Sequence, residues 1–346
     1  MKTKLFAFLT VAFLCFALVS CATAEPAAAP KAEAPAAEAA PTDYAVIVTK
    51  DGVDTGFDKL EDAVASVKSG SAVITVKKDL TITKKMEINK AEITIIDGGT
   101  PVTITDGLTR ENFVEYNGND ICCCFRITEK GRLILKGTET GGLTFKGAGS
   151  TAAITARILF YVGIGWKDPA NEIHGYLEFN KGVTVTNVYS TTFGGLARTY
   201  GELVINGGTF TDNVVMANGV FCVYGDTTIN DCVLANNDTN KVGIIQGTNC
   251  ETTKITVNGG LFENNTSATR GAVINTYATT TLVINGGTFR NNTCYAEGKG
   301  GAIYFVGLGA INGGTFENNS SCDVFVAKGV TLTKAENLPL NIIQAE

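Results

Sequence analysis

Chemistry on a polysaccharide needs two carboxylates flanking a glycosidic bond, or an acidic calcium cluster beside a base, so the acids were placed first by their repeat phase. Glu263 and Glu317 share a phase, but Arg290 lies between them. That leaves the two acids at least two strand spacings apart, about 9.6 Å. Asp212 is Asn in every other copy of its motif, and Asp226 and Asp231 suit a polar corner better than an ion site. His174, the one histidine, has no acidic or Cys/His frame around it. The triplet Cys122, Cys123 and Cys124 lacks a metal spacing, since alternate residues of a strand face opposite ways. These residues predict no catalytic centre, no metal and no cofactor.

Residue types that bind are better represented. Arg198, Cys222, Gln246, Ile274 and Tyr304 share one phase of a recurring strand phrase, and Ala197, Phe221, Ile245, Val273 and Ile303 share the phase before it. Alternation predicts the first set outward, a mixed polar and aromatic stripe able to take a long glycan or a protein. The bland reading of that stripe is an ordinary solvated sheet face. Trp166, the one tryptophan, lies in Gly165–His174, about ten residues that break the period. Insertions in repeat proteins become loops, often on a binding face; the competing reading folds Trp166 onto the adjacent coil.

Stripes of this kind need a repeating scaffold, and the chain spells one out. VINGGTFTDN (204–213), TVNGGLFENN (256–265), VINGGTFRNN (283–292) and AINGGTFENN (310–319) align without gaps, with a worn copy TINDCVLANN at 228–237. Their opening residues Asn206, Asn230, Asn258, Asn285 and Asn312 are 24, 28, 27 and 27 residues apart. Each unit is rich in Val, Ile, Thr and Phe, broken by Gly and Asn, and without helical period. Two short strands per unit at fixed phase describe a coil laid on itself, a parallel β-helix. In Asn-Gly-Gly the glycines permit a corner. Phe210, Leu234, Phe262, Phe289 and Phe316 are predicted inward as a ring stack, and the Asn pairs after them as amide ladders.

Gly-Gly-Ala-Ile at 300–303 together with Phe-x-x-Asn at 210–213, 262–265, 289–292 and 316–319 resembles the repeat of chlamydial polymorphic outer membrane proteins. More broadly the chain resembles the right-handed parallel β-helices of the pectin-lyase-like superfamily. The resemblance covers about 190–325 and implies a surface-exposed, adhesin-like rod. That superfamily also includes polysaccharide lyases and hydrolases, so a degrading enzyme is the alternative, and a purely structural coat a third. The sequence departs from the chlamydial proteins after Asn319, where no run of strands suited to an outer-membrane barrel follows.

Residues 1–20 read as a signal peptide, with Lys2 and Lys4 before an apolar run too short to span a membrane comfortably. Leu18-Val-Ser-Cys21 resembles a bacterial lipobox, which implies lipidation of Cys21 and a membrane anchor; the competing reading is secretion with cleavage after Ala24. Residues 21–42, rich in Ala, Pro and Glu, read as a disordered linker. Residues 43–346 form the β-helix domain, opening with a capping helix whose Phe57, Leu60, Val64 and Val67 share a face and which Gly70 ends. About ten coils are predicted, with Gly329–Thr333 as the last rung. A net charge of −6 argues against nucleic acid. Export permits disulfides, and Cys294 and Cys322, five and six residues beyond Phe289 and Phe316, are the candidate pair against two free thiols.

Overall fold

The computed structural model describes residues 43–109, 113–116, 119–163, 174–250 and 253–346. The chain divides into residues 1–39 and 40–346, and the second unit is a parallel β-helix. Cys21 and Trp166 lie outside the described residues.

One coil shows the plan. Glu202–Ile205 lies in sheet 1, Thr209–Thr211 in sheet 2, Val214–Val215 in the short sheet 4 and Phe221–Val223 in sheet 3, after which Asp226–Ile229 returns to sheet 1. The four sheets hold twelve, nine, five and eleven strands on their hydrogen-bonded paths. Ten of the twelve in sheet 1 are parallel rungs, from Gly70–Val76 to Thr333–Lys334. At about 4.8 Å per rung the stack is roughly 43 Å long.

The Asn-Gly-Gly corner uses each residue differently. The first glycine is there for space: a Cβ on Gly259, Gly286 or Gly313 would meet the carbonyl oxygen of the preceding coil's Asn at 2.6, 2.5 and 2.6 Å. The second is there for conformation, with φ of +109°, +101° and +110° at Gly260, Gly287 and Gly314. The opening Asn residues form an outer amide ladder, Asn312 to Asn285 to Asn258 to Asn230 to Asn206, at 2.7–2.9 Å.

Of each later Asn pair only the second joins a ladder, and it is buried in every coil but the last. Asn213, Asn237, Asn265 and Asn292 each donate Nδ2 to the Oδ1 of the next coil's Asn at 2.9–3.1 Å, ending on Asn319. The first of the pair makes the turn instead, at φ between 51° and 56° for Asp212, Asn236, Asn264, Asn291 and Asn318. Asp and Asn both tolerate that region, which accounts for Asp212 without chemistry.

The predicted inward Phe row is in register from Phe145 through Val185, Phe210, Leu234, Phe262 and Phe289 to Phe316. It stacks only where phenylalanines are adjacent: Phe262–Phe289 at 4.5 Å and Phe289–Phe316 at 4.7 Å, with planes within 8°. Leu234 interrupts the row. Phe210 packs edge-on against Phe179 and Phe221 instead, at 5.1 and 5.3 Å.

The ends differ from the sequence expectation. The helix runs Leu60–Ser66 and stops at Val67, which is extended, while Gly70 starts the first parallel strand. Phe57 belongs to a strand: Val46–Lys50 and Val53–Phe57 form a hairpin across Asp51-Gly52, and its first strand closes sheet 1 antiparallel to Gly70–Val76. Leu60, Ala63 and Val64 join the core of the first coils, so the helix and hairpin cover that end. At the other end Thr333–Lys334 pairs with Ala310–Ile311, and Ile342–Gln344 with Val324–Val326. Residues 329–332 make no strand there; Val330 and Leu332 pack on the core end as half-buried side chains.

Candidate functional site

The inner and outer rows of sheet 3 are fixed by backbone register. Ala197, Phe221, Ile245, Ile274, Ile303 and Val324 pair in sequence and face the core. The adjacent row faces away: Tyr161, Arg198, Cys222, Gln246, Asn275, Tyr304 and Phe325. Asn275 therefore takes the outward place expected for Ile274. Its connection carries one residue more between Gly271 and the strand, so Gly271 matches Gly300 and shifts the register by one.

The outer row was expected in solvent, and most of it is covered. Arg198, Gln246 and Phe325 are 7%, 5% and 5% exposed, and Asn275 is fully buried. At Arg198 the cover is the connection that runs from sheet 4 to sheet 3. Arg198 shows the contact: its Nε and Nη2 donate to the Phe193 carbonyl at 3.0 and 2.7 Å, and Nη2 to Thr192 Oγ1 at 3.2 Å. Tyr304 remains half-buried, with the Arg270 guanidinium 5.1 Å from its ring centre.

Two residues further along the strands, tyrosines gather on the same side. Tyr200 stacks on Tyr224 at 4.2 Å and lies 5.9 Å from Tyr161, in a small cluster separate from the main core. Burial raises the hydroxyl pKa of both Tyr200 and Tyr224, and it raises the Cys222 thiol to about 11. This side of sheet 3 is thus neutral at Cys222, Tyr200 and Tyr224, carries Arg198, and is rich in ring faces.

Two amides in it stand apart. Gln246 Oε1 and both Nδ2 and Oδ1 of Asn275 are buried without a hydrogen-bond partner. Such atoms ordinarily have a partner, because desolvating an amide costs about 1–3 kcal/mol. These two residues are on neighbouring rungs, paired in register.

The thiols of Cys294 and Cys322 are both free and buried. The one-residue difference in their spacing explains why they do not bridge. Cys294 sits beside Ser320, with its N–H donating to Ser320 Oγ at 2.9 Å, whereas Cys322 sits beside Gly301, whose N–H donates to the Cys322 carbonyl at 2.6 Å.

A cleft of about 600 Å³ opens elsewhere, between residues 105–109 and 146–154. Its floor is a buried ion pair: Arg157 Nη1 lies 2.6 Å from Asp106 Oδ1, while its Nε and Nη2 donate to the carbonyls of Ile154 and Leu108 at 2.6 and 2.5 Å. Asp106 is the one carboxylate in the described lining, and the pair holds two loops together. His174 is exposed, and Arg290 bridges the space between the two phase-sharing glutamates, 2.7 Å from Glu263. Among the described residues no group of three or more His, Cys, Asp or Glu side chains is placed to hold a metal ion. No helix of the described residues is long and apolar enough to cross a membrane. Comparison with protein families, curated proteins and solved structures finds no match in any of the three.

Proposed function

We propose that this protein is an exported, lipid-tethered β-helical rod of the cell envelope that binds a polysaccharide or a surface glycoprotein along the outer side of sheet 3. The observation that carries the reading is the outer row itself, where aromatic, cationic and amide side chains align over successive rungs and two buried amides have no partner. A stack of rungs is a rigid support, and unspent hydrogen-bonding groups on a rigid support suit recognition. The lipobox-like Leu18–Cys21, the Ala/Pro/Glu tract and the likeness to chlamydial surface repeats support display at the cell surface, with Cys21 as the lipidated residue.

The degrading alternative draws on the cleft at Asp106 and Arg157. Glycoside hydrolysis requires a second acid, and the adhesion reading requires none. Incubating the purified protein with soluble polysaccharides and glycoproteins, with and without calcium, separates the two by size-exclusion chromatography. Co-elution of intact ligand is the expected result, and chain shortening would replace adhesion with catalysis. Labelled palmitate incorporated into wild type and absent from Cys21→Ala is expected for the tether.

A further inference from the structure

Some surface charges of this β-helix are paired. Arg290 sits with Glu263 at 2.7 Å, Arg132 with Glu92 at 2.9 Å and Lys85 with Glu87 at 2.6 Å. The connections entering sheet 3 near the C-terminal end instead align cations with one another. Val242 and Arg270 form a parallel bridge, Gly243 N–H donates to the Arg270 carbonyl at 3.0 Å, and Gly271 N–H donates to the Lys299 carbonyl at 3.0 Å. Arg270 and Lys299 therefore occupy one phase on adjacent coils, with Lys241 one residue out of phase on the coil before. At about 4.8 Å per coil, like charges so placed repel.

None of Lys241, Arg270 and Lys299 makes an ion pair within the described residues. Glu297, two residues from Lys299, is exposed and unpaired as well. Two of the cations are nevertheless held in place. The Arg270 guanidinium lies 5.1 Å from the centre of the Tyr304 ring and Lys299 Nζ 4.5 Å from that of Phe325, and the two rings stack at 4.9 Å. Each cation rests on a ring supplied by the following coil, which leaves its outward donors for another partner. This row of three cations belongs to a chain of net charge −6.

We propose that Lys241, Arg270 and Lys299 are a docking row for the carboxylate or sulfate groups of an acidic polysaccharide, laid across the connections beside Tyr304 and Phe325. The inference rests on the glycan-binding reading of sheet 3 and names its ligand class. Three spaced cations on an acidic chain match one charge per sugar or per disaccharide better than duplex DNA, which carries one charge per about 1.7 Å.

The test measures binding of the full-length protein to immobilised heparin, hyaluronate, neutral dextran and double-stranded DNA across a salt series. Expected is binding to heparin or hyaluronate that weakens as salt rises, and that falls about tenfold or more in R270Q/K299Q, the loss of about one charge-assisted contact. R270K is expected to retain most of the affinity, and K254Q, on sheet 1, all of it. Coincident melting curves show that the variants are folded, and K241Q alone provides a milder version. Dextran or glycoprotein binding with no anionic preference, or anionic binding indifferent to R270Q/K299Q and K241Q, would overturn the docking row and leave the adhesion reading intact. Binding to no glycan would end both, and preference for DNA would overturn the polysaccharide assignment.

Discussion

Thr227 occupies an inward place in sheet 1 that Leu203 and Ile255 fill on the neighbouring coils, and its hydroxyl is buried without a partner. Thr227→Val keeps the shape and removes the desolvated hydroxyl, so it is expected to raise stability by about 1 kcal/mol in a denaturant titration. Asn265 is the opposite case. It donates to Leu234 O and Asn292 Oδ1 and accepts from Asn237 N and Nδ2, all within 2.8–3.1 Å. Asn265→Ala removes four buried hydrogen bonds, although Asn292 Oδ1 keeps the Asn265 N–H and Asn237 Nδ2 keeps the Phe210 and Ala235 carbonyls, and it is expected to cost about 2–3 kcal/mol. Asn285→Ala, in the exposed ladder, is expected to cost no more than about 1 kcal/mol in the same assay.

Asp97 gives a pH signature. Burial alone would raise its carboxyl, yet the Thr138 hydroxyl at 2.5 Å, the Thr138 N–H at 2.7 Å and the Gly99 N–H at 2.8 Å hold it below its ordinary value. A carboxyl lower in the folded state than in the unfolded one stabilises the fold above the unfolded value, near pH 4, and that contribution disappears as pH falls through the folded value. Acid titrations of wild type and Asp97→Asn should therefore converge below about pH 4, with wild type the more stable above it. A constant gap across the titration would show that the carboxylate is not the stabilising form.

At the scale of elements, the legible features were those set by repeat phase. The strand–corner–strand phrase located the corners, the inward Phe row and the amide ladders, because every copy repeats the same constraint. Repeat phase gives no mark where one residue is added or where an end breaks the repeat. The additional residue after Gly271 put Asn275 in the row assigned to Ile274, and no periodic signal marks a shift of one in a connection. The hairpin was readable in principle, since Asp51-Gly52 between two short apolar runs is a two-residue turn signal, with φ of 52° and 77°. Cys294 and Cys322 are offset by the same single residue. Burial raises Cys123 and Cys232 to about 12 and Cys122 to about 11, so those thiols stay protonated. Of the eight described cysteines only Cys250 escapes burial. Iodoacetamide applied to native, unreduced protein is expected to label Cys250 first, and mass spectrometry after denaturation to find Cys294 and Cys322 both alkylated.

Viewed whole, the domain is a stack closed at one end by a hairpin and helix and at the other by a loosely packed tail of half-buried Val330, Leu332, Leu338 and Leu340. That the variable row exists was legible from its composition; that it lies beneath the connections was not, because cover depends on how a connection curls and not on strand alternation. The covering also changes what a functional test must detect. A solvated stripe would lose little stability by substitution, whereas a partly buried row with unpartnered amides trades stability for recognition.

Asn275→Leu measures that trade directly. The substitution removes two buried polar atoms without a partner, so a thermal melt and a glycan-binding titration on the same preparation should move oppositely: a midpoint a few degrees higher, and affinity lower by about tenfold or more. A variant that melts higher and binds every ligand as wild type does would contradict the account, since the buried amides would then be a packing defect and the outer side of sheet 3 would not be the binding face.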